Sequence, residues 1–85
     1  MIYVSQLLGA RGLLRWVQAD LAEATGLALS TIRRMESNDG PVQGHSGNVW
    51  KVQHAIEDAG IEFIDENGGG PGVRLKSRIG NSLSR

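Results

Sequence analysis

The sequence predicts a mostly α-helical domain, four helices followed by a C-terminal two-stranded β element. Three observations carry this. Residues 18–37, QADLAEATGLALSTIRRMES, set apolar side chains at helical spacing on either side of Gly26. Further on, Val49, Val52, Ala55, Ile56 and Ala59 share one side of another helix. Beyond Gly60, the runs Ile61-Glu62-Phe63 and Val73-Arg74-Leu75-Lys76 alternate apolar and polar residues with the period of a strand. The glycines and Pro71 between those runs form the turn region.

Composition narrows the function classes. The 85 residues suffice for one small domain with a modest core, which a partner subunit would help to stabilise. With no cysteine, disulfides and thiolate zinc sites are excluded, as fits a reducing compartment. No apolar run approaches the roughly 20 residues needed to cross a bilayer. Arg11 also interrupts the opening before a signal-peptide core could form, so a cytoplasmic location and no membrane partner are expected. His45 and His54 are isolated, and no serine has a matched histidine and acid. The run of glycines at Gly68, Gly69 and Gly70 lacks the Lys-Ser/Thr and helix of a phosphate loop. No catalytic residues, metal or cofactor are therefore expected.

The formal net charge is zero, but its parts are unevenly placed. Glu57, Asp58, Glu62, Asp65 and Glu66 make an acidic stretch, Arg33 and Arg34 stand together mid-chain, and Arg74, Lys76, Arg78 and Arg85 make a basic end. A neutral total permits a locally positive face with few phosphate contacts per monomer.

In chain order, Ser5 caps a first helix over 6–14, with Leu7, Leu8 and Leu14 on one face. Gly9 and Gly12 weaken that helix by roughly 1 kcal/mol each relative to alanine. Trp16 belongs to the core or its edge. A second helix over 18–25 turns Leu21, Ala22 and Thr25 inward and Asp20 and Glu23 to water. Gly26 then reverses the chain in the left-handed conformation. A third helix from about residue 30 to 36 points Ile32 and Met35 inward. Residues 37–47 are loop, and Ser46 or Asn48 caps a fourth helix running to 59. Trp50 stands open between core filler, dimer contact and packing near the backbone. The chain divides into a helical domain (1–60), a strand pair (61–77) and a flexible tail (78–85).

Spacing within 18–37 is restrictive. Ala22 is small where two helices cross, Gly26 follows four residues later, and Ile32 and Met35 press back on the first helix while Leu21 and Leu27 fill the gap. Carried by Gln18-Ala19-Asp20-Leu21-Ala22 with Gly26, Ile32 and Glu36, residues 5–60 resemble the helix-turn-helix domain of the lambda-repressor-like, Cro-type (XRE) family of bacterial and phage regulators. The resemblance implies that Gln18 braces a DNA phosphate and that Arg11 and Glu36 form a structural ion pair. It also implies a recognition helix around residues 29–37 that enters the major groove N-terminus first. Ala28, Leu29, Ser30 and Arg34 would then face bases, with Thr31 and Arg33 nearer the backbone. Arg34 suits guanine O6 and N7, Leu29 and Ala28 a thymine methyl, and Ser30 either base type. Asn48 and Lys51 would add backbone contacts. Unlike many family members, this chain has no basic loop after the third helix and ends in strands rather than a fifth helix.

The expectation is a transcriptional repressor or autoregulator that binds double-stranded DNA. A lone hairpin is marginal in water, so Ile61, Phe63, Val73 and Leu75 must pack either on the domain's own helices or on a second copy. A homodimer joined through these residues and reading an inverted repeat is expected, since two half-sites compensate for few contacts each. The alternative, from a different class, is an antitoxin-like module that binds a toxin-like protein partner through the same strands.

Overall fold

A computed structural model describes residues 2–77, and the tail expected at 78–85 lies outside them. The elements in order are α1 (Val4–Leu14), α2 (Gln18–Thr25), α3 (Leu29–Met35), α4 (Ser46–Asp58), β1 (Ile61–Ile64) and β2 (Gly72–Leu75). The chain is thus mostly helical, with four helices and a two-stranded antiparallel sheet among the described residues. Every element except β2 sends at least one fully buried side chain into a common core that includes Leu7, Leu21, Ile32, Met35, Val52, Ile56 and Ile61.

Helix α1 starts earlier than the cap assigned to Ser5. Tyr3 is the N-cap, and its N–H donates to Gln6 Oε1 at 2.8 Å. The start is pulled forward by the loop after α3. Val4 N–H donates to the Gly40 carbonyl and Val42 N–H to the Ile2 carbonyl, both at 2.9 Å, and Tyr3 bridges Pro41. With the N-terminus tied down, Val4, Leu7 and Ala10 become the buried stripe. Leu8 falls off that stripe and is exposed, contrary to its expected place beside Leu7. The helix closes on Arg15, a non-glycine residue in the left-handed conformation at φ 58°.

Helices α2 and α3 match the expected pair closely. Gly26 has φ 76° and donates its N–H to the Ala22 carbonyl at 2.9 Å, ending α2. Asp20 accepts the Val17 N–H at 2.8 Å, so this acid caps α2 rather than merely facing water. Helix α3 begins at Leu29, and Ile32 and Met35 are buried as spaced. Helix α4 begins at Ser46 with His45 as its N-cap, so neither Ser46 nor Asn48 caps it. Gly60, at φ 111°, turns the chain from α4 into β1.

The strands pair Ile61 with Leu75, Glu62 with Arg74, Phe63 with Val73 and Ile64 with Gly72. By strand alternation, Ile61, Phe63, Val73 and Leu75 share one face. That face is covered from within the chain, because β2 packs on α1 and β1 on α4. Ile61 is fully buried and the other three are packed against the core. Of the two packings open to these side chains, the one on the chain's own helices is present, and Phe63, Val73 and Leu75 stay half-buried. Gly9 permits the close approach, since a Cβ there would lie 3.2 Å from Val73 Cγ2. Buried Gln6 adds a polar clasp, donating to the Ile64 carbonyl at 3.2 Å and the Gly72 carbonyl at 3.0 Å. At the other end, Lys76 N–H donates to the Gly60 carbonyl and its Nζ to the Glu57 carbonyl, each at 2.8 Å.

Candidate nucleic-acid interface

The α2–α3 pair is locked by one polar network. The Arg11 guanidinium grips Glu36 with two bonds, Nε to Oε2 at 2.8 Å and Nη2 to Oε1 at 2.9 Å. Its Nη1 donates to the Trp16 carbonyl at 2.9 Å. Gln18 Nε2 donates to Glu36 Oε1 at 2.8 Å. Glu36 is nearly sealed from solvent, with 4% of its side chain exposed against 17% for Arg11. A buried carboxylate needs such partners, because desolvation without them would cost several kcal/mol. The network therefore joins the end of α1, the turn after it, the first residue of α2 and the C-cap of α3. It holds the angle between α2 and α3.

Gln18 has a second amide hydrogen beyond the one given to Glu36. One side chain can thus brace Glu36 and still offer a donor at the start of α2. Val17, the N-cap beside it, is 61% exposed and supplies no side-chain cap.

On α3, Ser30, Arg33 and Arg34 are exposed at i, i+3 and i+4, which places them on one face. Ala28, the N-cap, is exposed at the leading end. Leu29 and Thr31 are half-buried, so part of each side chain serves packing rather than an open surface. Ser37, expected within the recognition helix, lies just past its C-cap Glu36. Its hydroxyl donates to the Arg34 carbonyl at 2.7 Å, extending the end of α3.

Asn48 and Lys51 sit on α4, half-buried and exposed respectively. Helix α4 packs on α2, and Lys51 lines a groove with Ala24 and Thr25 at the C-terminal end of α2. Gln18 begins that helix, and eight residues separate its ends by about 12 Å. The expected surface is thus brought together on α2 and α3, but Lys51 does not join Gln18. No group of three histidine, cysteine or acidic residues suited to a metal occurs among the described residues. No described helix is long and apolar enough to cross a membrane. No family model matches the chain, and no curated protein matches it either.

Proposed function

We propose that the chain is a sequence-specific, double-stranded DNA-binding regulator of transcription, a repressor or autoregulator with a lambda-repressor-like helix-turn-helix in α2 and α3. The observation that carries this reading is the exposed Ser30–Arg33–Arg34 face on a helix clamped by Arg11, Gln18 and Glu36. A short helix held that firmly, with its polar face free, suits insertion into a major groove. Arg34 reads a guanine, Ser30 and Ala28 meet base edges near the leading end, and Arg33 and Thr31 meet the backbone. Gln18 braces a phosphate with its remaining amide hydrogen. The protein works as a homodimer on an inverted repeat, because the two exposed arginines of α3 give little affinity singly.

Selection of bound sequences from random DNA tests the reading. An enriched palindrome, with binding that weakens as salt rises, is the expected result. No enrichment, or affinity indifferent to salt, rejects direct readout. The antitoxin-like alternative draws less support, since the apolar side chains of β1 and β2 that would grip a partner pack on α1 and α4.

A further inference from the structure

The outer face of α4 has no part in the DNA contacts of the proposed function. Gly47, Trp50, Lys51, His54 and Asp58 are all exposed, and their spacing sets them on one stripe. Trp50 is 61% exposed. Its ring stacks on His54 with centroids 4.4 Å apart and planes 16° from parallel. The pair makes a flat aromatic plate on successive turns of a helix. Tryptophan in such a position is the residue type that most often anchors a protein interface.

Charge identifies what covers the plate. Lys51 and Asp58 flank it on one side of the stripe, two helical turns apart. At about 1.5 Å of rise per residue they are roughly 10 Å from each other along the helix, too far to pair. Neither makes an ion pair with any other described residue. A second α4 running antiparallel, about a two-fold axis between His54 and Ala55, sets Lys51 of each copy opposite Asp58 of the other. A parallel arrangement would set Lys51 against Lys51. Between the two charges lies a shallow groove of about 250 Å³, lined in part by the short side chains of Ala24, Thr25 and Ala55. Those short side chains let a second helix approach.

We propose that this stripe is a homodimer interface, α4 packed antiparallel on α4 of a second copy, with the Trp50–His54 plates along one side and two Lys51–Asp58 pairs along the other. The isologous geometry also closes, so the assembly stops at two. Lys51, expected from the sequence to hold a phosphate, has a protein partner instead. The inference deepens the pairing in the proposed function by naming its surface. Dimerisation is measured without DNA, so its failure and a failure of DNA readout are separately visible.

Sedimentation velocity of the full chain across micromolar concentrations gives the test. A monomer–dimer equilibrium is expected, lost in Trp50→Ala. Lys51→Asp and Asp58→Lys should each weaken the dimer by about tenfold through like-charge contact, and the double exchange should recover it. These positions are exposed, so circular dichroism should show unchanged helix in each variant. On a Trp16→Phe background, Trp50 emission should shift to the blue as the dimer forms. A chain monomeric at hundreds of micromolar overturns the proposal and leaves the stripe to another kind of partner. A dimer that survives Trp50→Ala, or a double exchange that recovers nothing, overturns it as well.

Discussion

The Glu36 carboxylate accepts from Arg11 twice and from Gln18 once, and the three bonds are not equal in consequence. Removing Arg11 leaves a buried charge without its counterion, whereas removing Gln18 leaves the ion pair whole. Arg11→Met should therefore destabilise the fold by about 3 kcal/mol, and Gln18→Ala by about 1 kcal/mol. Urea unfolding of both variants checks the order, and equal losses would show that the ion pair is not the centre of the network. Val17 invites the opposite change. It occupies an N-cap with an exposed β-branched apolar side chain, where a hydroxyl would bond the α2 amides. Val17→Thr should stabilise by about 1 kcal/mol, read as a raised urea midpoint at constant slope. At this scale the sequence was uneven. Resemblance paired Arg11 with Glu36 across 25 residues. Gln6 left no trace, because its partners are backbone carbonyls 58 and 66 residues away. Such acceptors exist in every residue, so composition and spacing carry no sign of them.

Helix α1 shows how elements depend on neighbours that local signals do not see. Its start moved to Tyr3 because partners for its first backbone groups come from Gly40 and Val42 in a distant loop. By contrast, the α2–α3 pair was readable residue by residue, since Gly26, Leu21, Ile32 and Met35 each satisfy a local steric demand. The two glycines of α1, equivalent on propensity alone, separate once β2 is in place. A Cβ on Gly12 would meet nothing within 4 Å, while one on Gly9 would press Val73 at 3.2 Å. Gly12→Ala should thus stabilise by about 1 kcal/mol, the full helix-propensity gain. Gly9→Ala should gain less or lose, and thermal melts of the two variants decide it. The hairpin's outer face carries a pH signature. A hydrogen bond from Arg74, and then its charge, hold the Glu62 carboxyl below the ordinary carboxylate range. The resulting stabilisation is complete above the unfolded-state value near 4.5 and is lost as pH falls through the lowered one. A side-chain NMR titration should show Glu62 returning to ordinary behaviour in Arg74→Ala, and no change there would mean the pair is not formed in solution.

Across the whole molecule the charge is zero, and exposed charges of both signs are interspersed, with Asp20 and Glu23 on α2 and Arg74 paired to Glu62. Arg33 and Arg34 lie exposed on α3, while Asp58, Glu62, Asp65 and Glu66 lie exposed beyond the middle of α4. A protein of this kind gains little from long-range attraction to DNA, so its affinity must come from short-range contacts made in pairs. The size of that effect follows from counterion release. Each phosphate neutralised contributes about −0.9 to the slope of log affinity against log salt. One backbone-facing arginine, Arg33, in each of two copies therefore gives a slope of about −2, shallow for a regulator. Arg34→Ala removes a base contact and should relax preference at one base position in each half-site with the slope little changed. Gln18→Ala removes a neutral donor and should weaken all sequences about equally with the slope unchanged. Trp50→Ala leaves every DNA-facing residue in place but separates the copies, so it should halve the slope, with preference within a half-site intact. The three variants thus leave distinct signatures in one titration series. If Trp50→Ala kept the full slope on a palindromic site, the two copies would be paired by the DNA rather than by α4.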